Sequence, residues 1–262
     1  MRALRALIAA LTAATLAGPA LAADEGACYV AKGLVQADFA LPRVAAAVDA
    51  KQLKIVVLGS GSSTLPGADG PAKAYPARLQ ESLERRFPGV AVRVVTQAKP
   101  RQTAADMVKA LRQTLGEEKP DLVIWQTGTV DAMLGVDPDE FQTALGEGLD
   151  VLRDSKADAL FVNMQYSPRT DSITALTAYL DAMRFVALQR GIPLFDRLGV
   201  MKEWSELGVF DLAAATKKID IAERVHDCIG RLLASMVAEG KTLAQTSDTG
   251  AGTMDSQKKE SH

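Results

Sequence analysis

The sequence has few of the residues that bind metals or exchange protons near neutral pH. It contains two cysteines and two histidines in 262 residues, and His262 is the last residue. A zinc site needs about four clustered ligands, and the only soft ligand near Cys228 is His226, so we expect no metal and no cofactor. Any catalysis that uses an imidazole therefore depends on His226.

The apolar stretch near the N-terminus is too short to cross a membrane. It runs from Ala6 to Ala17 behind two arginines, whereas a spanning helix needs about 20 apolar residues. Small residues follow it, as they do at a signal-peptidase site. We therefore predict a signal peptide over residues 1–22, cleaved after Ala22 or Ala23, and a periplasmic or secreted mature protein without a membrane span.

The charge balance shows no excess of positive charge. The formal net charge is −2, and removal of the two arginines of the signal peptide leaves about −4, with both signs interspersed along the chain. A nucleic-acid-binding surface needs clustered positive charge. We therefore expect no nucleic-acid partner.

Large apolar residues are scarce at the C-terminal end of the chain. Residues 241–262 mix Gly, Ser, Thr and charged residues, a composition that buries too little surface to offset the entropy of ordering. We predict a flexible tail there. The remaining residues, 29–240, have the length of one α/β domain with a single core.

The two cysteines lie near opposite ends of this domain. In an oxidising compartment we expect Cys28 and Cys228 to form a disulfide. It would close a loop of about 200 residues and stabilise the fold by at most about 5 kcal/mol on the chain-entropy model. Two separately buried thiols are the alternative.

Short apolar runs rich in β-branched residues alternate with longer helical patterns. The runs are KIVVLG (54–59), VAVRVVT (90–96), DLVIWQT (121–127), ALFVNMQ (159–165) and IPLFD (192–196). Pro138 behind Asp137 predicts a helix start, and Gly191 and Gly240 predict helix ends. This alternation predicts a single doubly wound parallel sheet with helices on both faces. Such sheets bind ligands at the carboxyl ends of their strands.

The stretch GSGSST (59–64) follows the first predicted strand, where small residues can hold either an anion or a reactive hydroxyl. A phosphate loop ends in Gly-Lys-Ser/Thr, and a dinucleotide fingerprint has a third glycine where this chain has Thr64. The next helix begins only near Tyr75, too late for its N-terminal amides to meet a phosphate here. The composition of the stretch therefore favours a serine hydroxyl over a phosphate site.

A serine nucleophile activated by an imidazole has to use His226, in the segment AERVHDCIG (222–230). Glu223 lies three residues before this histidine, and Asp227 lies directly after it. A carboxylate can hold the second ring nitrogen, fix the tautomer and stabilise the imidazolium. A serine, His226 and Glu223 or Asp227 are therefore candidates for a catalytic relay.

The order of these blocks resembles that of the SGNH/GDSL hydrolases, a family of esterases and acyl-group hydrolases. A strand that ends in Gly and Ser comes first, a third strand followed by GTVD comes later, and the acid-x-x-His motif of Glu223 and His226 comes last. The resemblance spans residues 53–237. It implies a flavodoxin-like (SGNH-hydrolase-type) sheet, a serine nucleophile after the first strand, and hydrolysis of an ester.

The third block departs from the family pattern at one position. Gly128, Thr129 and Asp131 match the family, but Val130 stands where the family has its oxyanion asparagine. An isopropyl group cannot donate a hydrogen bond, and loss of one oxyanion donor typically costs about 10²–10³ in rate. Gly128 remains as an expected oxyanion or substrate-binding residue.

Two other blocks are also altered. The second block, TQAKPRQTAADM (96–107), contains no glycine, and Arg101 is the best match for the family's oxyanion amide. A backbone amide does not require glycine, so this donor can survive the change. In the last block Glu223 replaces the family's aspartate, which the mechanism can absorb.

The first block fits the family in two registers. With Gly59 as the family's glycine, Ser60 replaces the aspartate and Gly61 takes the place of the nucleophile. With Gly61 as that glycine, Ser62 replaces the aspartate and Ser63 is the nucleophile. A bulged turn would instead present Ser62, because the flanking glycines allow unusual dihedrals. Ser62 and Ser63 are equal candidates, and Ser60 is expected to line the site.

Two functions are consistent with these residues. The first is an exported hydrolase that cleaves the acyl ester of a small molecule, glycan or lipid by a serine–histidine relay. The second is a catalytically impaired relative that keeps the cleft and binds a periplasmic glycan, lipid or protein. The sequence gives no indication of the oligomeric state.

Overall fold

The computed structural model of the chain describes residues 28–171, 175–214 and 218–259. The predicted signal peptide, residues 1–22, lies outside the described residues. Within the described ranges, no helix is both long and apolar enough to cross a membrane.

A five-stranded parallel sheet forms the centre of the domain. Its strands are β1 (Gln52–Gly59), β2 (Ala91–Ala98), β3 (Leu122–Gln126), β4 (Asp158–Val162) and β5 (Leu194–Phe195). The spatial order is β2-β1-β3-β4-β5, and every pair of neighbours is parallel. This is the flavodoxin-like order, so the predicted fold class is confirmed.

Helices connect the strands and cover the sheet. They are α1 (Pro42–Asp49), α2 (Gly70–Lys73), α3 (Tyr75–Arg86), α4 (Ala104–Glu118), α5 (Thr129–Leu134), α6 (Pro138–Ser155), α7 (Pro168–Asp171), α8 (Thr177–Arg190), α9 (Arg197–Glu206) and α10 (Ile219–Lys259). A single 3₁₀ turn, Gly61–Ser63, follows β1.

The core has two layers because alternate residues of each strand point to opposite faces of the sheet. Ile55 and Val57 pack with buried residues of α1, α3, α9 and α10. Val56 and Leu58 pack with buried residues of α4, α6 and α8 on the other face. The strands are thus apolar on both sides, which explains their nearly continuous apolar sequences.

Two of the three predicted helix boundaries are confirmed. The carboxylate of Asp137 accepts hydrogen bonds from the backbone amides of Asp139 and Glu140 at the start of α6. Helix α8 ends at Gly191, which has the left-handed conformation (φ 65°) of a C-terminal cap.

Gly240 does not end a helix, so that prediction was wrong. Helix α10 continues through it to Lys259, into the segment predicted as a tail; the domain boundary at 240 stays a prediction. The Gly240 carbonyl accepts a 2.9 Å hydrogen bond from the Leu41 amide. A Cβ at Gly240 would lie 2.8 Å from Leu41 Cγ. The glycine therefore serves the close approach of α10 to the start of α1.

The predicted disulfide between Cys28 and Cys228 is confirmed. Both cysteines are buried, and the bond ties the N-terminal segment to α10 across 200 residues of sequence. It therefore holds α10 against the N-terminal segment at a position two residues from His226.

Substitution of the two helical glycines is expected to have opposite effects. Gly240→Ala should lower the free energy of unfolding by about 1–3 kcal/mol, because the added methyl overlaps the buried Leu41 side chain. In Gly116→Ala of α4 the added methyl meets nothing within 4 Å. This variant should raise the free energy of unfolding by about 0.5–1 kcal/mol, because alanine stabilises a helix relative to glycine. Urea denaturation of both variants measures this. A stable Gly240→Ala protein would contradict the close packing of α10 on α1.

Candidate functional site

The candidate site lies at the carboxyl edge of the sheet, where β1 and β3 end side by side. Strand β1 ends at Gly59, and the chain turns at once into the 3₁₀ turn Gly61–Ser63. A Cβ at Gly59 would overlap the hydroxyl of Ser63. Because Gly59 has no side chain, the turn can fold back over the end of β1. Ser63 then packs directly against Gly59.

Both candidate serines donate to one amide at the end of β3. The Oε1 atom of Gln126 accepts from Ser63 Oγ at 2.7 Å and from Ser62 Oγ at 3.1 Å. The amide of Ser60 also donates to it at 3.5 Å. Ser63 is fully buried, and its hydroxyl lies 3.0 Å from Tyr75 Oη, whereas Ser62 is half-buried. Ser62 is therefore the more accessible of the two hydroxyls.

His226 forms a hydrogen bond with the backbone rather than with a serine. Its Nδ1 atom accepts from the backbone N–H of Tyr75 at 3.0 Å. Tyr75 is the first residue of α3, whose early N–H groups have no partner within the helix. Within the described residues, no hydrogen bond joins the imidazole to the hydroxyl of Ser62 or Ser63. His226 thus caps α3 in this structure.

This cap determines the tautomer of the imidazole. A neutral imidazole has one N–H and one acceptor nitrogen. Because Nδ1 of His226 accepts a hydrogen bond from the Tyr75 N–H, the ring's own proton is on Nε2. A general base needs a free lone pair directed at the nucleophile, and this tautomer has none free. The imidazole is therefore not set up to take a proton from either serine.

Burial and a neighbouring guanidinium keep this imidazole neutral. His226 is 6% exposed, and burial together with the positive charge of Arg197 lowers its pKa to about 3. Arg197 is itself fully buried, and its guanidinium lies 5.6 Å from the centre of the Tyr75 ring. An imidazolium, which a serine relay has to form, is thus opposed by a like charge nearby.

The carboxylates near His226 bind other partners. Glu223 forms a 2.8 Å ion pair with Lys73, and Asp227 forms a 2.7 Å ion pair with Arg231 one turn further along α10. Neither carboxylate therefore orients the imidazole as expected. The backbone N–H of Tyr75 contacts Nδ1 instead.

Gly128 and Arg101, the two expected oxyanion donors, lie in different surroundings. The Gly128 amide donates to Oδ2 of the buried Asp131 at 3.3 Å, and Asp131 Oδ1 accepts from the Ala104 amide at 2.8 Å. Asp131 thus ties the turn after β3 to the start of α4, and burial raises its pKa.

Arg101 lies exposed in the loop after β2, in the left-handed conformation (φ 62°). Val130 is half-buried and offers no donor.

Three residues of the site, Tyr75, Gln126 and Arg197, are absent from the candidates that the sequence suggested. Gln126 ends β3 and Arg197 begins α9 two residues after β5. A polar residue at the end of a buried strand lies at the ligand-binding edge of such a sheet, and that signal could have identified both. The Tyr75 backbone amide carries no sequence signal beyond its place at a helix start.

Comparison with known proteins identifies the class. Residues 27–243 match the model of the Non-GDSL lipase-like family, and the chain belongs to that family. A search of curated proteins finds no match. Family and fold therefore place the chain among the lipase-like relatives of the GDSL ester hydrolases.

Three solved structures illustrate the likeness. TesA is 25% identical, with a TM-score of 0.51 over 69% of this chain and 99% of that one. The lipase/acylhydrolase from Enterococcus faecalis is 18% identical, with a TM-score of 0.54 over 72% of this chain and 96% of that one. A two-domain esterase active on acetylated mannans is 16% identical, with a TM-score of 0.63 over 79% of this chain and 55% of that one. The last two share the fold.

The buried imidazole gives a testable pH dependence. The unfolded chain binds a proton at His226 below its ordinary pKa of 6.5, whereas the folded chain does so only near pH 3. The stability that the neutral ring contributes is therefore complete above about pH 6.5 and falls as the pH is lowered. Between pH 7 and pH 5 the wild type should lose about 2 kcal/mol relative to His226→Asn. Urea titrations at both pH values measure this.

The asparagine variant is the suitable reference because its amide oxygen can replace Nδ1 as the acceptor of the Tyr75 N–H. His226→Ala removes the acceptor and should cost about 1–3 kcal/mol at every pH. Burial raises the pKa of Asp158 to about 6, so its contribution to stability falls with rising pH, but it cancels in the difference between wild type and variant. Parallel curves for wild type and His226→Asn would show that the imidazole is not buried neutral.

Proposed function

We propose that the protein is exported and binds an acyl ester of a small molecule, glycan or lipid at the carboxyl edge of the sheet, with its serine–histidine relay disengaged. The observation that carries this proposal is the hydrogen bond from Tyr75 N–H to His226 Nδ1. While that bond exists, the imidazole cannot accept a serine proton. Export is supported by the N-terminal sequence pattern and by the disulfide.

The site also lacks an available general base and two free oxyanion donors, which supports a disengaged relay. General-base catalysis contributes about 10²–10⁴ in rate, and it is unavailable to a serine whose hydroxyl donates to Gln126. The Gly128 amide is bonded to Asp131, and Val130 offers no second oxyanion donor, at a typical cost of about 10²–10³ for each missing donor. Turnover by this arrangement is slow, while the edge of the sheet still offers polar groups to a ligand.

The half-buried Ser62 hydroxyl supports a second candidate function, that of an active serine esterase. In this mechanism Ser62 Oγ attacks the ester carbonyl, its proton passes to His226, and the acyl group is transferred to Ser62 as the alcohol leaves. Water then releases the acid. The mechanism requires the imidazole to leave Tyr75 N–H and to adopt the other tautomer, which Glu223 or Asp227 would have to stabilise after leaving its present ion pair.

A fluorophosphonate probe separates the two functions. On purified, folded mature protein we expect no covalent label on peptide 55–77, because no base activates a serine there. An esterase of known activity in the same assay shows that the probe is reactive. Labelling of that peptide that disappears in Ser62→Ala and in His226→Asn would establish the relay. The asparagine variant retains the cap on α3, so loss of label in it cannot be attributed to unfolding.

Binding is tested separately with triacetin, a neutral, soluble triester. We expect saturation-transfer NMR to detect triacetin on the wild type and not on Gly61→Trp. Gly61 is exposed, and a Cβ there meets nothing closer than Pro100 Cα at 4.0 Å, so the indole can cover the site without a clash in the core. Gly116→Trp, at an exposed helical position remote from the site, is the matched control. Equal signals from both variants would place the bound ester elsewhere.

A further inference from the structure

Arg197 is a buried cation without a counter-charge. Its side chain is fully buried, and no carboxylate in the described part of the chain lies within ion-pair distance of it. Its Nε atom also has no hydrogen-bond partner among the described residues. A buried charge is unfavourable unless it is paired, and burial lowers the pKa of this guanidinium only to about 10. The charge is therefore present at physiological pH.

The neighbouring acid in the sequence is not available to Arg197. Asp196 Oδ1 accepts from the Gly199 amide and from Asn163 Nδ2. Its Oδ2 atom accepts from Arg184 at 3.0 Å. Arg197 is also the first residue of α9, where the helix dipole adds to the positive potential. Among the described residues, no carboxylate thus compensates this charge.

Arg197 is directed towards the candidate site. Its Nη1 atom donates to the Ser62 carbonyl at 3.2 Å and contacts Ser62 Oγ at 3.4 Å. Gln126, whose Oε1 atom accepts from the same serine, has an Nε2 atom with no acceptor among the described residues. Arg197 and Gln126, each with one nitrogen that lacks an acceptor, therefore both contact the half-buried Ser62. An oxyanion bound beside Ser62 would supply both the missing charge and the missing acceptors.

We infer that Arg197 selects anionic ligands at this site, so that the ester bound there carries a carboxylate or a phosphate group. The inference rests on the proposed function, because it describes the ligand of the same site. A guanidinium matches the geometry of either oxyanion with two parallel hydrogen bonds. Acidic sugars and phosphate-bearing glycerides are the two sources of this chemistry.

Matched pairs of charged and neutral esters test the inference. The first pair is O-acetyl glucuronate and O-acetyl glucose, and the second is 1-acetylglycerol 3-phosphate and 1-acetylglycerol. Calorimetric titration of the wild type at low salt should show at least about tenfold tighter binding of an anionic ester than of its neutral partner. The pair with the larger ratio identifies carboxylate or phosphate as the preferred group.

Variants assign the preference to Arg197. In Arg197→Met the ratio of affinities should fall to about one, while Arg153→Met, which removes an exposed arginine of α6, should leave it unchanged. The melting temperature of Arg197→Met should stay the same or rise, because an unpaired buried charge is replaced by an apolar chain. A ratio of one in the wild type, or a ratio that survives in Arg197→Met, overturns the inference.

The two proposals fail in different ways. A serine that reacts with the fluorophosphonate probe overturns the disengaged relay and leaves the preference for anions intact. Equal binding of charged and neutral esters overturns the preference alone. If neither pair binds while triacetin does, the preference for anions fails and the proposed ester site stands. If Arg197→Met does not fold, the ratio measured on the wild type still decides whether the site prefers anions.

Discussion

The hydrogen bond from the backbone N–H of Tyr75 to Nδ1 of His226 is the interaction on which the character of this site depends. It joins the start of α3 to the N-terminal part of α10, two residues before the disulfide-bonded Cys228. In satisfying a helix terminus, it fixes the imidazole in the tautomer that cannot serve as a base. The same residue that could activate a serine is thus occupied in holding the fold together.

The contacts of the serine hydroxyls and of Arg197 also disfavour a serine–histidine relay. Both serine hydroxyls donate to Gln126, so their protons are already placed without the imidazole. Arg197 adds a positive charge that opposes formation of an imidazolium, and no carboxylate among the described residues pairs with it. The edge of the sheet therefore has the electrostatics of a site that receives an anion rather than one that passes a proton from serine to histidine.

The fold was predictable because its signals are local and repeated. Five apolar runs and the caps at Asp137 and Gly191 were enough to define the sheet, and the two cysteines were enough to predict the disulfide. Gly240 was misread because a glycine that permits close packing looks the same in sequence as one that ends a helix. The contacts of Glu223 and His226 could not be read from spacing, since Lys73 and the Tyr75 amide reach them from the distant segments α2 and α3.

The tautomer of His226 provides the most direct test of the disengaged relay. Long-range ¹⁵N–¹H correlation NMR on the folded mature protein at neutral pH distinguishes a ring protonated at Nε2 from one protonated at Nδ1. We predict the Nε2-protonated tautomer, which persists as the pH is lowered to well below the ordinary pKa of histidine. A ring protonated at Nδ1, or one that becomes an imidazolium near pH 6.5, would contradict the cap on α3 and favour an active serine–histidine relay.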